Sequence, residues 1–161
     1  MEIVILCGGL GTRLAEETQI KPKPMVEVGG RPMLWHIMKI YESYGHSDFT
    51  LALGYKADVI KDYFINYHAH MSDLKIDLKS GNIKFSNPTS EAWNISLINT
   101  GINSMTGGRL LRLKDKLKET FMLSYGDGVC DVNLKKLLEF HRSHGKIATV
   151  TAVIPSARFG G

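Results

Sequence analysis

Apolar residues fall into two rhythms along this chain. Continuous runs lie at residues 2–7, 49–53, 95–98 and 121–125, and a β-branched run spans 147–154. Short apolar runs bounded by glycines and polar turns predict strands buried on both faces. Between them the spacing changes to three and four. Leu34, Ile37, Met38 and Tyr41 share one face of a helix predicted to begin near Pro32 and to stop at Gly45. Val59, Ile60, Phe64 and Tyr67 do the same over residues 57–68. Two more helices are predicted over 110–117 and 131–144, the second closed by Gly145. Residues 74–78 and 83–85 alternate apolar and polar around a turn at 80–82, the pattern of two half-exposed strands. Strands alternating with helices predict an α/β fold: a three-layer, Rossmann-like domain with a mainly parallel (mixed) central sheet.

Composition narrows the function classes. With 161 residues, 43% of them hydrophobic, the chain supports one domain with a sizeable core. No apolar run approaches the roughly eighteen residues of a membrane span, so no membrane partner is expected. The chain opens on a strand rather than an export leader, and Cys7 and Cys130 make no disulfide framework. The expected compartment is therefore a reducing cytoplasm. A net charge of +4, from 20 basic and 16 acidic residues, suits a phosphate-bearing substrate. No basic cluster alternates with exposed aromatics, so no nucleic-acid partner is expected. The six histidines form no zinc pattern, and no GxSxG elbow is present.

The richest chemistry lies where the first strand ends. Gly8, Gly9 and Gly11 are followed by Thr12 and Arg13, and then by Lys21 and Lys23, each beside a proline. Glycines there let backbone N–H groups turn towards a ligand with no Cβ in the way. A polyphosphate is the natural guest, with Arg13 and a lysine offsetting its charge. Leu14 stands where a dinucleotide fingerprint needs its last glycine, and Thr12–Arg13–Leu14 does not complete a Walker A loop. The plain alternative is a tight glycine turn beside a solvated arginine. A second candidate is Asp127, between Gly126 and Gly128 at the end of a predicted strand. Ligands of parallel sheets collect at that edge, so Asp127 reads as a Mg²⁺ ligand or as an Asx turn. Asp131 either reaches the same site or caps the following helix.

CGGLGTRL at residues 7–14 and KPKPMVEVGGRPMLWH at 21–36 resemble the sugar-phosphate nucleotidyltransferases, or nucleotide-sugar pyrophosphorylases. MTGGRL at 105–110 and YGDGVCDVN at 125–133 bring the likeness nearer to the bacterial glucose-1-phosphate cytidylyltransferases. The resemblance covers essentially the whole chain. It implies transfer of a cytidylyl group from CTP to α-D-glucose 1-phosphate, giving CDP-glucose and pyrophosphate, with Mg²⁺ as cofactor. The alternatives are the same reaction with another nucleotide or hexose 1-phosphate, or a non-catalytic nucleotide-binding domain. It also implies that residues 1–161 form the nucleotide-binding N-terminal part of a longer, homo-oligomeric enzyme. On this reading Arg13 and Lys23 are the catalytic residues, with Arg13 on the β- and γ-phosphates and Lys23 near the α-phosphate. Leu6, Gly8, Gly9, Leu10, Gly11, Thr12 and Gly126 hold the nucleotide, and Asp127 holds the metal. Thr106, Gly107, Gly108 and Arg109 are expected to read the base.

Overall fold

The computed structural model describes residues 1–10, 21–87 and 91–154. In chain order it forms β1 (Glu2–Cys7), a 3₁₀ turn (Lys23–Met25), β2 (Glu27–Val28), β3 (Arg31–Pro32), α1 (Met33–Ser43), β4 (Asp48–Leu53), α2 (Ala57–Ile65) and α3 (Tyr67–His70). Next come β5 (Asp73–Asp77), β6 (Asn82–Ser86), β7 (Asn94–Asn99), α4 (Thr106–Leu113), β8 (Phe121–Tyr125) and α5 (Leu134–His144). These fall into two units, Met1–Val129 and Cys130–Gly161.

The first unit is built on a four-stranded sheet in the order β7-β4-β1-β8, with every pairing parallel. The antiparallel pairs are small hairpins, β2–β3 and β5–β6. Ile3, Val4 and Ile5 on β1 and Leu51, Ala52 and Leu53 on β4 are wholly enclosed, as expected for central strands covered on both faces. On one face, Val4, Leu6 and Ala52 pack with Leu113 of α4, joined by Ile98, Leu110 and Phe121. On the other, the Phe49 ring meets Trp93 at 5.9 Å and Trp93 meets Trp35 of α1 at 6.3 Å. That α1 turns its apolar stripe inward is clear from Leu34, Ile37 and Met38, each at 2% exposure or less. Each such side chain contributes roughly 1.5–3 kcal/mol of burial.

From β1 the chain steps to β4 and then β7 on one side, and returns to place β8 on the other side of β1. The strand order therefore reverses between β1 and β8, and ligands of open parallel sheets bind at the carboxyl ends of strands at such a point.

Several local expectations need correction. Residues 147–154 form no strand; Ile147, Val150, Val153 and Ile154 stand exposed. β-branched residues favour a strand only where neighbours give them something to pack against. The helix predicted from residue 131 starts at Leu134, because the Asn133 side chain accepts the Lys136 N–H at 3.0 Å. Asn133, not Asp131, is thus the cap. β5 and β6 form a separate hairpin exposed along its whole length rather than half-exposed. Among the described residues no helix is long and apolar enough to cross a membrane.

Candidate functional site

A pocket of about 380 Å³ opens at the carboxyl ends of β1 and β8, where the strand order reverses. Its wall includes Gly8 and Gly9 after β1, Lys23 and Pro24 of the 3₁₀ turn, and Asp127 after β8. Thr106 and Arg109 of α4 close the far side.

Lys23 is placed by its two prolines. Pro22 and Pro24 are buried, and Met25 N–H donates to Pro22 O at 2.8 Å. Pro22 has φ −67°, its ring-fixed value, so the chain enters the turn in one conformation. The Lys23 ammonium then reaches the pocket, 3.5 Å from Asp127 Oδ2. Asp127 is held by the residue before it. Gly126 N–H donates to Leu6 O at 3.0 Å, and a Cβ at Gly126 would stand 3.0 Å from Cys7 Sγ and from Pro24 Cγ. Only a glycine lets β8, β1 and the lysine turn approach this closely.

Three neighbouring strand ends meet on Arg109. Arg109 as a whole is 4% exposed. Its Nη2 donates to Gly8 O at 2.6 Å, and its Nη1 to Thr100 Oγ1 at 2.8 Å, Gly101 O at 2.7 Å and Leu53 O at 3.2 Å. Thr100 is fully buried and donates its hydroxyl to Leu53 O at 2.7 Å. Burial lowers the Arg109 pKa, and Arg112 lowers it further. Burial pushes the Cys7 thiol far above its usual range, with the Asp127 charge acting in the same direction, so Cys7 is a neutral packing group here.

Of the residues singled out in the sequence, Leu6, Gly8, Gly9, Lys23, Thr106, Arg109 and Asp127 share this pocket. Gly107 and Gly108 lie in the first turn of α4, behind Thr106, and a Cβ at Gly107 would meet nothing within 4 Å. Leu10 is 53% exposed at the end of the described loop. Gly11, Thr12 and Arg13 lie outside the described residues. The expectation for Arg109 was contact with a base, but both its terminal nitrogens are engaged by backbone carbonyls and Thr100. Sequence reasoning missed Thr100 and Gly54. A Cβ at Gly54 would lie 2.6 Å from Arg109 Nη1 and 2.8 Å from Gly8 O. Neither residue belongs to a motif, so only the spatial arrangement reveals them.

Asp127 fits a divalent cation. Its side chain is 42% exposed in the pocket, and a single carboxylate beside room for phosphate oxygens and water is how Mg²⁺-type sites in nucleotide enzymes are built.

Residues 2–160 match the nucleotidyl transferase family. The chain belongs to that family. It is 52% identical to the glucose-1-phosphate cytidylyltransferase of Salmonella typhimurium, over 99% of this chain and 63% of that protein. It is 45% identical to the "Probable glucose-1-phosphate cytidylyltransferase" of Bacillus subtilis, with the same two coverages. Among solved structures, HddC from Yersinia pseudotuberculosis, complexed with GMP-PN, matches with a TM-score of 0.64 and 31% identity, over 87% of this chain and 53% of that one. This nucleotidyl transferase chain thus spans 63% of the length of each of these two curated relatives. Nucleotidyl transferases of this family generally use divalent metal ions.

Proposed function

We propose that the protein transfers a cytidylyl group from CTP to α-D-glucose 1-phosphate, forming CDP-glucose and pyrophosphate. The observation that carries this reading is the 52% identity to the Salmonella typhimurium glucose-1-phosphate cytidylyltransferase across 99% of this chain. The pocket supports it, because one lysine, one carboxylate and a pair of glycines converge there.

A phosphate oxygen of the sugar 1-phosphate attacks the α-phosphorus of CTP. The bond from that phosphorus to the bridging oxygen breaks, and pyrophosphate leaves on the opposite side. Such a transfer depends on positioning and on positive charge around the phosphates more than on covalent help from the protein. Lys23 sits near the α-phosphate and stabilises the charge that builds there. The amides after Gly8 and Gly9 hold the nucleotide, and Thr106 faces its base from the first turn of α4, where Gly107 and Gly108 follow it. Arg13 serves the β- and γ-phosphates. Asp127 would hold the Mg²⁺. When bound, Mg²⁺ would supply charge neutralisation to the triphosphate.

Pyrophosphate release with α-D-glucose 1-phosphate, measured across CTP, UTP, dTTP, GTP and ATP, tests the reading. Preference for CTP is expected; preference for any other nucleotide refutes the cytidylyl assignment.

A further inference from the structure

We propose that β5 is a pairing edge for a second copy of this chain, the two β5 strands lying antiparallel with Ile76 facing Ile76 across a two-fold axis. The proposal is independent of the nucleotide site. Among the described residues the β5–β6 hairpin joins no other strand, yet it carries an apolar face of its own. Leu74 stands opposite Phe85 and Ile76 opposite Ile83, and these four side chains are 42–52% exposed. Leu78, just past them, is 91% exposed. Two strands alone are marginal in water, and an open edge beside an uncovered apolar face is a template for another chain. The hairpin is nonetheless fixed at its foot. Asn87 Nδ2 donates to Asp73 Oδ2 at 3.1 Å. Tyr67, before β5, donates its hydroxyl to Glu91, after β6, and Glu91 also accepts the Trp35 Nε1–H of α1 at 3.1 Å. Both ends of the hairpin are thus tied down without help from any partner.

Charge selects both the occupant and the register. Asp73, Lys75 and Asp77 share the other face of β5, and Lys84 of β6 stands directly opposite Lys75. Like charges in that position repel, and among the described residues neither lysine takes part in an ion pair. A second β5 supplies the carboxylates. Antiparallel pairing centred on Lys75 would set lysine against lysine and Asp73 against Asp77. Centred on Leu74, it would set Ile76 against Ser72, whose hydroxyl is enclosed at the foot of the hairpin. Centred on Ile76, it sets Lys75 of each copy against Asp77 of the other and Leu74 against Leu78, with the two Ile76 side chains meeting on the axis. The Asp77 carboxylate accepts the Ser80 hydroxyl at 2.6 Å, which lowers its pKa and keeps it ionised for this role. A two-fold contact uses each of these pairs twice and closes on itself. The apolar faces of the two hairpins then form one four-stranded face in the order β6-β5-β5-β6.

The test introduces single cysteines in a Cys130→Ser background, because Cys130 is exposed and Cys7 is buried. Directly opposed Cβ atoms of an antiparallel pair lie about 4.5–5.5 Å apart, within reach of a disulfide. Mild oxidation is expected to link Ile76→Cys into a dimer on a non-reducing gel and to leave Lys75→Cys and Phe85→Cys unlinked. Linking at Lys75 as readily as at Ile76 means a shifted register, and linking at Phe85 means stacked faces or pairing through β6. Either result overturns the proposal, as does an Ile76→Cys protein that stays unlinked. Sedimentation velocity without added cysteines is the second readout. Lys75→Asp removes the repulsion with Lys84 inside the hairpin but sets a carboxylate against Asp77 of the other copy. It is expected to weaken association by about tenfold, which is about 1.4 kcal/mol. Unchanged association in Lys75→Asp, or a parent protein that sediments as a monomer throughout, overturns the proposal.

Discussion

Gly8→Ala would place a methyl group inside the slot that holds Arg109. Its Cβ would stand 2.3 Å from both Cζ and Nη1 and 2.7 Å from Nη2, and these are its three nearest atoms. Close packing elsewhere in the core leaves little room, so the guanidinium must retreat by about 1 Å or more to reach ordinary contact. It cannot do so and keep Gly8 O at 2.6 Å, Gly101 O at 2.7 Å and Thr100 Oγ1 at 2.8 Å. Losing one or two charge-assisted bonds in a buried position costs roughly 1.5–3 kcal/mol each, so Gly8→Ala is expected to destabilise by about 2–5 kcal/mol. Arg109→Ala destabilises by a comparable amount, since buried carbonyls lose their donor. Without the guanidinium, however, the added methyl no longer collides with it. The double variant should therefore be more stable than the sum of the singles by at least about 1.5 kcal/mol. Denaturant midpoints of the four proteins measure this coupling. Gly9→Ala is the control: a Cβ there meets nothing within 4 Å, and its stability should stay within about 0.5 kcal/mol of the parent. Additivity of Gly8→Ala and Arg109→Ala, or a Gly8→Ala protein as stable as the parent, refutes the reasoning.

Lys23→Ala is expected to lower kcat by about a hundredfold or more with little change in folding, since its contact is needed where charge develops; pyrophosphate release and a melting curve check both halves. Asp127→Asn should shift the Mg²⁺ dependence of pyrophosphate release to higher metal concentration. Its stability should change by less than about 0.5 kcal/mol, because the 3.5 Å pair with Lys23 is partly exposed. Asn133→Ala removes the side-chain acceptor for Lys136 N–H and should destabilise α5 by about 1 kcal/mol, read from amide exchange along that helix.

The central strands were legible because burial on both faces leaves continuous apolar runs at β1 and β4; the runs at β7 and β8 also form strands, but at the sheet edges, where they are only partly buried. The helices were legible from the three–four spacing, and Leu34, Ile37, Met38 and Tyr41 are the buried residues of α1. Periodicity failed where partners decide the outcome. Among the described residues, the run at 147–154 has strand propensity and no strand neighbour, and the β5–β6 hairpin has the right alternation but joins no larger sheet. The site was legible as motifs: Lys23 and Asp127 lie 104 residues apart in sequence and 3.5 Å apart in space. What supports those motifs was not legible. Thr100, Gly54 and the slot around Arg109 arise from three strand ends meeting, and no local spacing encodes that. Arg109 was legible as a motif position, and it lines the pocket; the hydrogen bonds that tie its guanidinium to backbone carbonyls were not legible.

A crystal structure with CTP and Mg²⁺ bound would examine the pocket at the β1–β8 switch point most directly. The triphosphate should lie against the Gly8–Gly9 backbone, with Lys23 at hydrogen-bond distance from the α-phosphate and Asp127 on the metal. A nucleotide bound elsewhere, with Lys23 still paired to Asp127 beside an empty glycine turn, would contradict the account.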